Sequence, residues 1–135
     1  MKIIGFDPGI LNMGIAIIEI SKTKPNLIFT KTISPKKNQD ISKKLLYIND
    51  EINKILMDFQ IDFAGIESTF ININPKTSIN LAISKGIILM NLAKFNINYT
   101  EIPPNIIKKH ITGYGHSNKD EIKSYLKYHL KKYRW

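Results

Sequence analysis

The segment Lys2–Asp7, KIIGFD, runs into Pro8-Gly9 and then into residues 14–20, GIAIIEI. A short apolar run that ends in an acid and meets a Pro-Gly turn is typical of a buried strand. The second run predicts another strand that folds back on the first. We therefore expect a hairpin at the N-terminus, with Asp7 at the carboxyl end of its first strand.

The remaining segments extend this hairpin into an α/β fold. Further strands are predicted over residues 26–33, 62–67 and 96–102, with a turn at 22–25 before the first of them. Helices are predicted over residues 40–59, 75–95, 105–111 and 119–132. Asp40 and either Ser117 or Asn118 can cap two of these helices, and Pro75 suits a helix start. This order predicts a mixed five-stranded sheet flanked by helices, with the later strands parallel.

Length and composition limit the classes of protein that fit. A chain of 135 residues predicts one domain, residues 1–135, because domains average about 100–200 residues. The absence of cysteine excludes disulfides, thiolate zinc sites and cysteine nucleophiles. No apolar run approaches the ~18 residues of a membrane helix, and the N-terminus is too short and too acidic for a signal peptide. We therefore expect a cytoplasmic protein that does not bind a membrane.

Positive charge is concentrated in the second half of the chain. Residues 1–67 hold nine lysines and eight acids, whereas residues 68–135 hold eleven basic residues and three acids. A basic half of this kind suggests a polyanionic partner, most often nucleic acid. The alternative is compositional, since Ile, Lys and Asn are all abundant and lysines could accumulate without a binding role.

Asp7 and Glu67 are the strongest candidates for chemistry. Each ends a short apolar strand of the kind found at the centre of a sheet. In α/β sheets the reactive groups gather beyond the carboxyl ends of the central strands. If the two strands are parallel neighbours, the carboxylates meet, and their oxygens suit Mg²⁺ or Mn²⁺. The alternative is that each acid simply ends a strand at the surface, and the spacing does not decide between the two.

Four blocks of the sequence together resemble one family. They are residues 3–14 (IIGFDPGILNMG), 64–70 (AGIESTF), 74–86 (NPKTSINLAISKG) and 103–119 (PPNIIKKHITGYGHSNK). In their order and spacing they resemble the RuvC-type Holliday-junction resolvases, bacterial nucleases of the RNase H-like superfamily. The resemblance spans nearly the whole chain. It implies an RNase H-like fold, a homodimer and metal-dependent hydrolysis of four-way DNA junctions, with a branch-migration complex as the natural partner.

The resemblance also implies a role for particular residues. Asp7 and Glu67 match the first two metal-binding carboxylates, with Mg²⁺ or Mn²⁺ as the implied cofactor. Phe70 matches an aromatic residue that stacks on bases near the crossover, although a core position is the alternative. Lysines that hold phosphates near the scissile strand are expected at Lys108 and Lys119. Further DNA-facing positions are expected at Lys76, Gly113, Gly115 and Lys109, the last of which fits a solvated helix face equally well.

The predicted helix over residues 78–95 carries a stripe of apolar and small residues. The stripe consists of Ile79, Ile83 and Met90 together with Ala82 and Gly86. In the family the equivalent helix helps to form the homodimer, and a small residue such as Gly86 allows close approach. Ordinary packing of the stripe into the core is the alternative.

The sequence departs from the family at its C-terminus. The family carries two further carboxyl-type ligands on a final helix that packs on the sheet, whereas no acid follows Glu121 here. Loss of that helix is expected to expose apolar surface on the sheet. A truncated resolvase, a variant that cuts slowly or not at all, and a partner that supplies the helix all remain open.

Three functions follow from these observations. The leading hypothesis is a metal-dependent endonuclease that resolves four-way junctions, leaving 5′-phosphate and 3′-hydroxyl ends as the resemblance implies. The second is a catalytically weak or inactive junction-binding module. The third is a phosphate-binding fragment that uses the turn over residues 7–14, because a similar acidic-glycine turn binds phosphate in sugar kinases.

Overall fold

The structure, a computed structural model, describes residues 1–22, 24–68 and 74–129, with the backbone alone for residues 128 and 129. Its elements follow the predicted order of strands and helices. They are β1 (Lys2–Asp7), β2 (Met13–Ser21), β3 (Lys24–Ile33), α1 (Ile41–Asp58), β4 (Phe63–Glu67), α2 (Pro75–Lys94), β5 (Asn98–Ile102), α3 (Pro104–Thr112) and α4 (Lys119–His129).

The five strands form one mixed sheet in the order β3-β2-β1-β4-β5. The strands β1, β2 and β3 are antiparallel neighbours joined by hairpins. By contrast, β4 lies parallel to β1, and β5 lies parallel to β4. This arrangement confirms the predicted mixed sheet and makes β1 and β4 its central parallel pair.

The hydrophobic core lies on one face of the sheet, beneath α1 and α2. Alternate residues of each central strand point into it, because successive strand side chains face opposite sides. Ile4 and Phe6 of β1 and Ile66 of β4 are almost fully buried there. They pack with buried side chains of the two helices, namely Ile48, Ile52, Ile55, Leu56, Ile88 and Leu92.

Two strand boundaries differ from the prediction for identifiable reasons. The turn expected over residues 22–25 is shorter, because Pro25 pairs with Ile20 inside the β2–β3 ladder. A proline is tolerated there because β3 is an edge strand. The strand expected to begin at residue 96 begins at Asn98, because Asn96 has a positive φ of 55° where the chain leaves α2.

The helix starts confirm the predicted caps. The side chain of Asp40 accepts a hydrogen bond from the Ser42 N–H, and Pro75 occupies the first turn of α2. Asn118, one of the two predicted caps of α4, forms a reciprocal pair with Glu121, in which each backbone N–H donates to the other residue's side chain. This capping box orients α4 relative to the loop before it.

Within the described parts of the chain, no helix combines the length and the hydropathy that a membrane-spanning segment requires.

Candidate active site

Asp7 and Glu67 lie next to each other at the carboxyl ends of the two central strands. The parallel register pairs Phe6 with Ile66, so the residues that follow are brought side by side. The Asp7 carboxyl lies close enough to Glu67 to raise the pKa of the Glu67 carboxyl. The predicted meeting of the two acids at one edge of the sheet is therefore what the structure contains.

The pairing changes the protonation of Glu67. The pKa of this carboxyl is raised to about 7, first by its partial burial and then by the hydrogen bond and negative charge of Asp7. The positive charge of Lys108 opposes this shift and lowers the pKa. Near neutral pH the Glu67 carboxyl is therefore protonated in a substantial fraction of the molecules.

Gly14 makes room for the Asp7 side chain. The two residues are cross-strand partners in the β1–β2 ladder. A Cβ at position 14 would lie 3.3 Å from the Cβ of Asp7 and 3.9 Å from its Oδ2. A larger residue at position 14 would therefore crowd the Cβ of Asp7, a constraint that the sequence alone does not identify.

A groove opens on the sheet face opposite α1 and α2, directly beside the two acids. It encloses about 650 Å³ and is mainly apolar. Gly5, Ala16 and Gly65 form its floor, and Ile107 of α3 and Leu126 of α4 line it from above. The groove agrees with the expectation of exposed apolar surface on this face of the sheet.

Lys31 also borders the groove, but its side chain extends to the α1 side of the sheet, where its charge is paired. Its Nζ lies 2.5 Å from a carboxylate oxygen of Glu51, a buried residue of α1. Lys31 is therefore part of the contact between the sheet and α1, and it adds no unpaired charge to the site.

The predicted lysines occupy different positions relative to the acids. Lys108, on α3, is partly buried and lies close enough to Glu67 to influence its charge. Lys109, the next residue, is exposed, as is Lys119 at the start of α4. Lys76 lies in the first turn of α2, where its backbone N–H donates to the Asn74 side chain and its side chain is exposed. The structure thus associates one of the four lysines with the carboxylates.

The backbone geometry favours glycine at both predicted loop positions, Gly113 and Gly115. Gly113 ends α3 with a φ of 81°, a conformation that other residues adopt only with strain. A Cβ on Gly115 would lie 3.2 Å from the carbonyl oxygen of Asn105. Their predicted approach to a DNA strand remains a prediction.

Comparison with known proteins identifies the family. A family model described as crossover junction endodeoxyribonuclease RuvC matches residues 3–133. The chain belongs to the RuvC family. The RuvC protein of Rickettsia typhi is 36% identical over 122 residues, which cover 90% of this chain and 78% of that protein. The RuvC protein of Rickettsia prowazekii is 34% identical with the same coverage.

Solved structures of RuvC proteins share the fold. A structure described as Thermus thermophilus RuvC in complex with Holliday junction substrate matches with a TM-score of 0.90, at 18% identity, over 99% of this chain and 82% of that one. The yeast mitochondrial Holliday junction resolvase matches with a TM-score of 0.68, at 12% identity, over 96% of this chain and 62% of that one. The fold of this RuvC family member is therefore RNase H-like.

The RuvC family consists of metal-dependent nucleases, and the acid pair fits part of such a site. Two adjacent carboxylates offer the oxygen ligands that hard divalent cations prefer. Within residues 1–22, 24–68 and 74–129, however, no group of three or more His, Cys, Asp or Glu side chains is close enough to hold a metal ion. Asp7 and Glu67 therefore form a pair of carboxylates to which the described residues add no third such side chain.

Phe70, the predicted base-stacking residue of this RuvC family member, lies outside the described residues. Its role remains a prediction from the sequence.

The raised pKa of Glu67 leads to a prediction about the pH dependence of metal binding. Below about pH 7 a cation must displace the proton of Glu67, so the apparent affinity for Mn²⁺ is expected to rise about tenfold per pH unit and to level off above that pH. Titration calorimetry at pH 6, 7 and 8, in buffers with different protonation enthalpies, would measure affinity and proton release together. Glu67→Gln should abolish the dependence, and equal affinity at all three pH values in the unmodified chain would contradict it.

Proposed function

We propose that this protein is an endonuclease that resolves four-way (Holliday) DNA junctions in recombination and repair by hydrolysing phosphodiester bonds. One observation carries the proposal: Asp7 and Glu67 stand side by side at the carboxyl ends of the central strands of a RuvC family chain. The names of the matched proteins support the substrate, since relatives are called crossover junction endodeoxyribonucleases and one solved relative is complexed with a Holliday junction.

Mg²⁺ is the proposed cofactor, with Mn²⁺ as an equivalent, and Asp7 and Glu67 are its proposed ligands. When bound, such a cation supplies an activated water and stabilises the leaving oxygen of a phosphodiester. The chain itself holds the ligands on two hydrogen-bonded strands, which limits their movement. The partial burial of Glu67 strengthens electrostatic interactions there, because it reduces screening by water.

Basic residues are proposed to position the DNA. Lys108 is the catalytic candidate among them, because it already acts on the charge of Glu67 and can offset charge that develops on a phosphate. Lys119 is proposed as a second catalytic contact on the scissile strand, a role that rests on the sequence resemblance. Contacts with the remaining DNA are proposed for Lys76, Lys109, Gly113, Gly115 and Phe70.

We further propose a homodimer formed through α2. The exposed fractions of Ile79, Ile83 and Met90 are 59%, 38% and 58%. The buried residues of α2 lie on another face, at Ser84, Ile88, Asn91 and Leu92. The stripe is therefore not core, and a Cβ on the exposed Gly86 in its middle would meet nothing within 4 Å. A two-fold dimer would present two equivalent sites to two equivalent strands of a junction.

Ile83→Asp is expected to convert this dimer to monomer. A charge buried without a partner costs about 3–5 kcal/mol, which corresponds to a dissociation constant at least about 100-fold weaker. Light scattering after gel filtration would measure the mass. Tyr47→Asp, an exposed position on α1, is the matched control and should leave the mass unchanged. A monomeric unmodified chain, or a dimer that tolerates Asp at position 83, would overturn this interface.

The remaining proposals concern the domain organisation, a partner and the cellular location of the protein. Residues 1–135 are proposed to act as one nuclease domain, with a branch-migration complex as a natural partner. The proposed location is the cytoplasm, the compartment expected from the sequence.

Cleavage of a synthetic mobile four-way junction tests the proposal. The chain would be incubated with the junction and Mg²⁺ or Mn²⁺, and binding and nicking would be resolved on gels. Paired symmetric nicks are expected, and equal affinity for the junction and for a linear duplex of the same sequence would overturn the proposal.

A catalytically weak junction-binding module is the second candidate function. It is favoured by the finding that the described residues provide only two acids at the site. Tight binding of the junction without nicks would select it.

A further inference from the structure

The loop between α3 and α4 presents two aromatic rings to solvent. The side chain of Tyr114 is 60% exposed, and His116 is exposed beside it. The ring centroids are 5.6 Å apart and the ring planes meet at 66°, an edge-to-face contact. An exposed aromatic pair on a short loop is not explained by core packing.

The backbone that carries this pair is held by internal hydrogen bonds. The Tyr114 N–H donates to the Thr112 hydroxyl at 3.2 Å, and the Ser117 hydroxyl donates to the Tyr114 carbonyl oxygen at 2.7 Å. The two hydroxyls of Thr112 and Ser117 also contact each other, and Ser117 is almost fully buried. Because the loop is already ordered, the loop itself loses little conformational entropy when a ligand binds.

Positive charge exceeds negative charge around the loop. Residues 104–121 contain three lysines, two histidines and two acids, Asp120 and Glu121. Lys108 and Lys109 lie in the helix before the loop, and Lys119 begins the helix after it. An exposed aromatic pair flanked by lysines on both sides has the two components of single-strand nucleic acid recognition, a π-face for bases and cations for phosphates.

A hollow beside Tyr114 offers space for a base. It encloses about 450 Å³ between the loop and α4. Tyr114 and Tyr125 line it together with the side chains of Thr112, Ser117, Glu121 and Ser124. The exposed Ser124 hydroxyl can hydrogen-bond to a nucleobase, whereas the Glu121 carboxylate would repel a phosphate.

We propose that Tyr114, supported by His116, is a stacking platform for an unpaired nucleobase of the junction DNA. The inference rests on the proposed function and adds to it a base contact on the α3–α4 loop, on the same helix pair as Lys108 and Lys119. Phe70, predicted to stack on bases, comes from a different part of the chain.

Fluorescent base analogues test the platform. Four-way junctions would carry 2-aminopurine at successive positions around the crossover, and binding would be followed without divalent metal so that no strand is cut. With the unmodified chain, stacking is expected to quench the analogue at specific positions. Tyr114→Ala should abolish the change at one of them and weaken junction binding about 10-fold. Tyr114→Phe should preserve both, because the ring is retained.

The salt dependence of binding separates stacking from charge. Tyr114→Ala is expected to leave the slope of log affinity against log salt unchanged, since no phosphate contact is removed. Tyr47→Ala is the matched control, because this tyrosine is exposed on α1, beneath the opposite face of the sheet. Circular dichroism would verify that each variant is folded.

The outcomes distinguish this inference from the proposed function. The platform alone would be overturned if the unmodified chain nicks the junction and Tyr114→Ala leaves both the affinity and the fluorescence unchanged. Loss of binding in Tyr114→Phe equal to that in Tyr114→Ala would also overturn it, because the hydroxyl rather than the ring would then be responsible. Absence of any preference for the junction in the unmodified chain would overturn both.

Discussion

Asp7→Asn is expected to reduce junction cleavage by at least about 10³-fold while changing junction affinity by less than about threefold. The substitution preserves the size of the side chain but removes one of the two adjacent carboxylates that we propose as metal ligands. Metal ions contribute several kcal/mol to stabilising such transition states, and each 1.36 kcal/mol corresponds to a factor of ten in rate. Binding should persist because the lysines that we propose to contact phosphates are unchanged.

The control for this variant lies at the other end of the same pair of strands. Asp62 precedes β4 and accepts a hydrogen bond of 2.7 Å from the Lys2 N–H. Asp62→Asn therefore makes the same chemical change beside the same strands but away from the site, and cleavage should remain near the unmodified rate. Single-turnover cleavage and gel-shift assays would measure both quantities. A loss of binding as large as the loss of cleavage in Asp7→Asn would argue against a metal-ligand role.

Asp7→Asn is also expected to change the pKa of the neighbouring Glu67. The hydrogen bond and negative charge of Asp7 both raise the pKa of Glu67. Without them this pKa should fall toward its ordinary value, although partial burial will keep part of the shift. Carboxyl NMR titration of the metal-free protein would show the change, and an unchanged pKa would mean that the two acids do not interact.

Lys108→Ala is expected to slow cleavage of bound junction about 100-fold, the effect of losing one preorganised charge or donor at a reacting group. A second effect comes from Glu67, whose pKa Lys108 holds down. Without the lysine this pKa rises, so more of Glu67 is protonated at a given pH and fewer sites can take up a cation. The deficit should therefore be larger at pH 6.5 than at pH 8.5.

Lys109→Ala is the comparison that isolates this effect. Lys109 has the same charge, the same helix and the adjacent position, but its side chain is exposed, and the pKa of Glu67 is shifted by Lys108 instead. Its loss should weaken junction affinity through one phosphate contact and leave the cleavage rate of bound junction nearly unchanged. Equal losses of cleavage in the two variants, without a difference in pH dependence, would contradict a specific role for Lys108.

Much of the architecture could be predicted because it depends on local chemistry. Asp40 and Pro75 are found where the sequence predicts helix starts, since capping and helix initiation involve only neighbouring backbone groups. Errors occurred where a tertiary neighbour decides the conformation. Pro25 was expected in a turn but lies in a strand. A proline fits there because β3 is an edge strand, which tolerates a residue without an N–H.

The candidate site was likewise predictable only in part. The sequence by itself identified Asp7 and Glu67, because each ends an apolar strand, and the structure brings them together through the parallel register. The resemblance favoured Lys108 and Lys119 equally among the four lysines, and only the fold shows that Lys108 is the one that affects the charge of Glu67. The sequence also left the stripe on α2 open between core and interface, because helical periodicity identifies an apolar face but not what that face meets.

What the sequence determined, then, was the order of elements, their caps and the two acids, all of which follow from short-range patterns. The tertiary structure alone decided the interactions of groups far apart in the chain. It set Gly14 beside Asp7, turned the stripe on α2 to solvent and placed Lys108 near Glu67. These interactions depend on distance, burial and dielectric environment, which exist only after the strands have paired.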